Sequence, residues 1–256
     1  TLFRSGLVRL PVYELPEKVL DTASLVEALS TPHSGHIRKG IVEAMTREGS
    51  LTVSGHPIKS QIIICAAGLG NEALLEMLEA GKDRSQQRPL RQLMVKSMPF
   101  PLYGHGITTS YKPRVTVTSH PLPSGGYVWY LGGAIADHTL SLSDEETIAF
   151  AKKEMEAVFN HLDWTGKQWS IWSGVRAEAY CSSGRLPSGP VVQDYGNALV
   201  VWPTKLTLAP LLGDHVLAWL EEKGVRPKHP CPPSPLLNLE MPSIASFPWE
   251  HAGWIC

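Results

Sequence analysis

GNALVVWPTKLTLAPLLGDHVLAWL, residues 196–220, is the stretch whose reading decides the fold. Asn197 to Trp202 is an apolar, β-branched run with the length of a buried strand. Pro203, Thr204 and Lys205 form a tight polar turn, and an amphipathic helix follows from Leu206 onward. Pro210 is compatible with that helix, because a proline in the first turn removes an N–H that has no intrahelical partner. A strand that runs straight into a helix aims backbone N–H groups and the positive end of the helix dipole at one spot. That spot suits a phosphate, a carboxylate or a reduced cofactor ring, and Lys205 adds a full positive charge. The alternative is an ordinary strand–turn–helix connection with no ligand.

Moving outward, IIICAAG (Ile62 to Gly68) is the most apolar short run, and Lys59 to Ala67 is expected to be a strand buried on both faces. Gly68 and Gly70 break it. Asn71 can cap a helix, NEALLEMLEAG, that stops at Gly81. A helix is expected from Thr22, capped by Thr22 or Ser24, and strands over His36–Arg47 and Ser50–Gly55. The middle of the chain differs: Pro89–Met98, Pro113–His120 and Gly126–Gly133 have the period of two expected of half-buried strands, and PLPSGG joins the last two as a hairpin. Ser143 with Glu146 forms a capping box for a helix to Leu162 whose apolar stripe is Ile148, Ala151, Met155, Val158 and Phe159. Gln168–Glu178 is a further strand. The segment after Gly224 is rich in proline and is expected to lie extended over the surface.

The 256 residues carry a net charge of −1, without the basic excess of a nucleic-acid-binding surface. No apolar run approaches the roughly 20 residues that cross a bilayer. Cys65, Cys181, Cys231 and Cys256 have no CxxC spacing, and the histidines form no HExxH or other metal-ligand grouping, so no metal site is expected. Scattered thiols fit a reduced, cytoplasmic protein. The opening TLFRS has no initiator methionine, and residues 1–11 are read as an artefactual or truncated start.

These pieces, in this order and from about Val12 onward, resemble FAD-dependent oxidoreductases of the D-amino-acid oxidase family, which includes glycine and sarcosine oxidase-type enzymes. The resemblance is carried by IICAAGLGN as a late flavin-domain strand, by the antiparallel segment Val115–Gly133, by the arginine-bearing WSGVRAE, and above all by LVVWPTKLTLAPLLGDHVLAWL. Leu206, Thr207, Leu208, Ala209 and Pro210 match the family's helix start, while Trp202–Pro203–Thr204–Lys205 departs from its usual glycine-rich turn. The family's opening βαβ unit with GxGxxG is not present, and AAGLGN does not replace it.

The resemblance implies an α/β fold, α+β overall: part of a FAD-binding, Rossmann-like framework with an inserted antiparallel substrate-binding sheet. It divides the chain into residues 12–85 of the FAD-binding domain, a substrate-binding sheet with its helix over 86–178, the C-terminal part of the FAD-binding domain over 179–223, and a proline-rich tail over 224–256. Ala67, Gly68, Gly70, Trp202, Pro203, Thr204, Lys205, Leu206 and Thr207 would contact FAD, with Lys205 and the helix start facing the ring's pyrimidine edge. Arg176 would grip a substrate carboxylate, because guanidinium binds carboxylate with a planar fork; Arg185 is its rival and Tyr130 a further substrate contact. His105 is a candidate to face the active site, set against a structural or surface role. The implied activity is hydride transfer from a C–H next to nitrogen, on an amino acid or secondary amine, to the flavin. A flavin dehydrogenase acting on a hydroxy acid, and a non-catalytic binding domain keeping the fold, are the alternatives.

Overall fold

The computed structural model describes residues 6, 8, 11–107, 113–160, 162–226, 236 and 238–256. In chain order its elements are α1 (Thr22–Ser30), β1 (Val42–Met45), β2 (Ser50–Val53), β3 (His56–Lys59), β4 (Ile63–Cys65), α2 (Asn71–Met77), β5 (Ser85–Met98), β6 (Gly104–Gly106), β7 (Val115–Pro121), β8 (Tyr127–Gly132), α3 (Ala134–His138), α4 (Asp144–Val158), β9 (Gln168–Ala179), β10 (Val191–Tyr195), β11 (Ala198–Trp202) and α5 (Ala209–Glu222). They fall into two compact units. One holds the described residues up to Val26 with Pro89–Gly174 and Ala245–Cys256; the other holds Glu27–Arg88 and Val175–Ile244. The residues read as an artefactual start lie almost wholly outside the described residues, as does Cys231.

The first unit is built on an antiparallel sheet whose strand order is β6-β7-β8-β5-β9. Alternation on its strands creates two faces. Leu93, Val95, Val117, Trp129 and Leu131 point to one face and pack against Ala151, Met155 and Val158 of α4. That helix begins at the expected capping box: Glu146 N–H donates to Ser143 Oγ, and Ser143 N–H donates to the Glu146 carboxylate at 2.8 Å. It ends at Val158, where the chain turns extended at Phe159, four residues before the expected stop at Leu162.

The opposite face is covered by the last residues of the chain. Over Ala245–Cys256 the tail lies on this sheet face, with Trp249 buried and its neighbours exposed or half-buried. Trp249 is buried against Met94 and Val128. Its ring stacks on Phe247 at 4.4 Å and lies 4.1 Å from the ring of His120. Trp169 and Ile255 exchange two backbone hydrogen bonds, 2.8 and 2.7 Å, and Lys96 sits over the Trp254 ring. Several aromatic rings in one short segment find an apolar sheet face, which removes more area from water than an extended tail could.

In the second unit the sheet order is β10-β11-β4, with β10 antiparallel and β4 parallel to β11. All of Ala198–Trp202 is buried. Ala198, Val200 and Trp202 pack with Leu75, Leu78 and Cys65 on one side, and Leu199 and Val201 pack with Leu212 and Trp219 of α5 on the other. A separate antiparallel sheet, β1-β2-β3, adds Met45 to the first of these clusters. Ser54 and Gly55, both at positive φ, make the turn between β2 and β3.

Two differences from the sequence reading have clear causes. The long Lys59–Ala67 strand shrinks to Ile63–Cys65, and Ile64 is 42% exposed, because β4 has a described partner on only one side. The helix α1 is capped by Asp21, whose carboxylate accepts from Ser24 N–H at 2.7 Å, rather than by Thr22 or Ser24.

Replacing Trp249 by alanine leaves a cavity against Met94, Val128 and His120. It is expected to lower unfolding stability by roughly 3–5 kcal/mol in urea denaturation. A loss below about 1 kcal/mol would show that the C-terminal segment is peripheral to the core.

Candidate functional site

In the second unit, β4 and β11 run side by side in the same direction, with Ile63, Ile64 and Cys65 in register with Ala198, Leu199 and Val200. The loops leaving both strands therefore emerge together at the carboxyl end of the sheet, the position at which open α/β sheets bind ligands. One loop is Ala66–Gly70, leading into α2; the other is Pro203–Lys205, leading through a short 3-10 turn, Leu206–Leu208, into α5. Asn71 ties the first of them to β11. It is fully buried; its Oδ1 accepts from Ala67 N–H at 2.9 Å and its Nδ2 donates to Val201 C=O at 3.1 Å. Asn71 is thus the first residue of the helix, with Gly70 as cap, and its side chain clamps the Ala66–Gly70 loop to β11 rather than the helix end. The sequence signal was present in GLGN, but the partner lies 130 positions away.

The expected cofactor residues Ala67, Gly68, Gly70, Pro203, Thr204, Lys205, Leu206 and Thr207 are all on these two loops, and most are exposed. Gly68 has φ +57°, as a turn there requires. Thr204 also has positive φ, held by its hydroxyl donating to Gly189 C=O at 2.8 Å. Lys205 is extended and exposed at the start of the 3-10 turn, whose first N–H groups have no partner within a helix. Trp202 is different: it is 2% exposed and lies in the core beside Leu75 and Ala179. Its indole Nε1–H is buried without a hydrogen-bond partner among the described residues.

Arg176 and Arg185 are also in this unit. Glu178, 3% exposed, is held by Arg88 through two bonds of 2.8 and 2.7 Å and by Gln86 at 3.1 Å. Burial opposes its charge but is outweighed by Arg88, Gln86 and the nearby charge of Arg176, which keep the carboxyl below its usual range. Arg88, which no local pattern in the sequence singles out, is thus the bidentate partner of Glu178. Arg185 is exposed, and its backbone C=O accepts from Gln86 at 2.9 Å.

His105 and Tyr130 belong to the other unit. His105 is opposite Thr116, which is opposite Gly132; one row on, Thr118 is opposite Tyr130, which is opposite Met94. Directly paired residues share a face, so His105 and Tyr130 lie on one face, the face opposite α4. Gln92 adds its amide to that face, donating to Leu131 C=O at 2.8 Å. A side chain at Gly132 would meet Gln92 and Thr116 at 2.8 Å. Burial pushes the Tyr130 hydroxyl up to about 12, so it is neutral and a donor across the physiological range. Thr116, Thr118 and Gln92 were missed because only strand register shows that they share a row.

Among the described residues no group of three or more His, Cys, Asp or Glu could hold a metal ion, and no helix is long and apolar enough to cross a membrane. The Cys65 thiol is pushed up to about 11 by burial and is therefore protonated.

No family model matches the chain. It is 38% identical over 246 residues to the probable FAD-dependent oxidoreductase PA4991 of Pseudomonas aeruginosa, a match covering 94% of this chain and 62% of that protein. The crystal structure of PA4991 superposes with a TM-score of 0.83 over 93% of this chain and 66% of the other. The two share a fold over that length. The chain thus spans less than two thirds of the PA4991 sequence. A much weaker likeness, TM-score 0.45 at 13% identity, is to an L-amino acid deaminase from Proteus vulgaris and carries no argument.

Asn71→Leu removes the tie between the Ala66–Gly70 loop and β11 at nearly constant volume. Because it takes a donor from the buried carbonyl of Val201, it is expected to cost about 1–3 kcal/mol in chemical denaturation. Exchange of the Ala67 amide should rise at the same time. Glu178 gives a pH signature. Its folded pKa lies below the 4.5 of an ordinary glutamate, so its stabilising contribution is complete above that value and fades as the pH falls further. Glu178→Gln should flatten the acid limb of the stability curve below about pH 4.5; an unchanged limb would remove Glu178 from the acid response.

Proposed function

We propose that the chain is part of a FAD-dependent oxidoreductase of the D-amino-acid oxidase type, which oxidises a C–N bond of an amino acid or secondary amine. The observation that carries the reading is the pairing of the Ala67–Gly70 and Pro203–Thr207 loops at the carboxyl ends of two adjacent parallel strands. The likeness to PA4991 supports it. The residues fit a flavin in two respects. The loops are exposed and rich in backbone N–H groups, and Lys205 supplies a cation at the turn.

A bound flavin accepts the hydride in this chemistry. The chain's own residues hold and orient. Gly68 and Gly70 keep side chains out of the way of a close backbone approach. Lys205 and the N–H groups of Leu206 and Thr207 stabilise negative charge at the pyrimidine edge. Arg176 binds the substrate carboxylate, with Arg185 as the second candidate. Tyr130, held neutral by burial, donates a hydrogen bond on the sheet face that also carries His105. Substrate is a small amine or amino acid.

The complete protein is expected to purify yellow, with a flavin absorption spectrum, and to bleach anaerobically when a suitable amino acid or secondary amine is added. Lys205→Met should make the flavin harder to reduce, lowering its midpoint potential while leaving the fold intact by circular dichroism. Folded, full-length protein that binds no added FAD would falsify the assignment. Reduction by hydroxy acids alone would transfer it to a dehydrogenase of non-amine substrates.

A further inference from the structure

We propose that the cavity between β9 and the Ala245–Cys256 segment is a binding site for the aromatic ring of a small molecule, with the Trp172 indole as its platform. The cavity holds about 540 Å³, within the roughly 300–1,000 Å³ of small-molecule sites, and its walls all belong to the first unit. Trp172 is the unusual wall. It is 40% exposed and has no ring partner among the described residues, whereas Trp129 meets Phe100, Trp169 meets Trp164 and Trp249 meets Phe247. Gly174 gives the indole its place: a Cβ added there would collide with the six-membered part of the Trp172 ring. Glycine inside a strand weakens it, and here it admits a large ring over the strand. Phe247 borders the same cavity and is fixed by its stack on Trp249 at 4.4 Å.

The remaining walls select the ligand. Met94 and Ile255 add apolar surface. Ser170 is 4% exposed, and its hydroxyl has no hydrogen-bond partner among the described residues. A buried hydroxyl in that state is costly unless something entering the cavity bonds to it. Ser246 Oγ and His251 Nε2, 2.7 Å apart, form a second polar point. Asp144 also borders the cavity and pairs with Arg91, and no lysine or arginine lines it, so an anion finds no free counter-charge there. The ligand class is therefore a flat ring with a neutral or cationic hydrogen-bonding group. Met94 is opposite Tyr130 in the sheet, so the ring would lie on the face that carries Tyr130. None of this depends on the flavin assignment.

The test is an NMR titration of the complete protein with phenol, with cyclohexanol and benzoate as comparisons. Phenol is expected to bind at least about fivefold more tightly than either, because only a ring stacks and only benzoate carries negative charge. Trp172→Leu keeps apolar bulk but removes the stacking face, and should weaken phenol binding about five- to tenfold. Trp172→Phe should recover part of that loss. Gly174→Ala should weaken phenol comparably while circular dichroism stays unchanged, because the displaced atoms are the far end of an exposed side chain. Phenol binding that equals cyclohexanol, that is exceeded by benzoate, or that is unchanged in Trp172→Leu overturns the proposal. So does absence of binding at millimolar phenol, which would mean that another part of the complete protein fills the cavity. The flavin spectrum is read in parallel: a yellow protein that binds no phenol loses this site and keeps the flavin assignment, and a colourless one that binds it does the reverse.

Discussion

The parallel pairing of Ile63–Cys65 with Ala198–Val200 is the constraint on which the rest of the second unit depends. It joins segments that are far apart in the chain, so its loop-closure entropy must be repaid by burial on both faces of β11. That burial is complete: Ala198–Trp202 has no exposed residue, with α2 and Cys65 on one side and α5 on the other. Asn71 is then placed where its amide can satisfy one peptide group of the Ala66–Gly70 loop and one of β11. A buried amide with both ends satisfied is stabilising, and with either end lost it is costly, which holds that loop to the strand.

The first unit solves a different problem. Its antiparallel sheet has two apolar faces but only one long helix, α4, to cover them. The chain returns after the second unit, and Ala245–Cys256 supplies Phe247, Trp249 and Trp254 to the uncovered face. This cover extends over Met94, Val128, His120 and Tyr130, and beside it the polar row of His105, Thr116 and Gln92 remains. The sheet face is therefore divided into an aromatic, filled part and a polar part.

Electrostatics in the second unit follow burial. Glu178 is charged despite being almost inaccessible, because Arg88 meets it bidentately and Gln86 takes a further lone pair. Asp194 shows the same logic at lower burial. Desolvation opposes its charge, and Trp219 Nε1–H, Lys223 and Gly196 N–H together hold its carboxyl below the ordinary range. Both carboxylates fix the ends of strands, Glu178 on β9 and Asp194 on β10, so they act on position rather than on chemistry.

What the sequence determined by itself was local. The strand–turn–helix of residues 197–222, the capping box at Ser143, the hairpin at PLPSGG and the stripe of α4 were legible because the apolar periods and turn residues that specify them lie within a few positions of each other. The short β10, β6 and α3, by contrast, gave no periodic signal long enough to read. Only tertiary structure decided which of the legible pieces meet. It set β4 beside β11, gave Glu178 a bidentate partner in Arg88, put His105 and Tyr130 on one face, and packed Trp249 onto the sheet of the first unit. Each of those outcomes depends on partners tens of residues apart, chosen by which burial and which hydrogen bonds can be satisfied at once, and no local pattern records that choice.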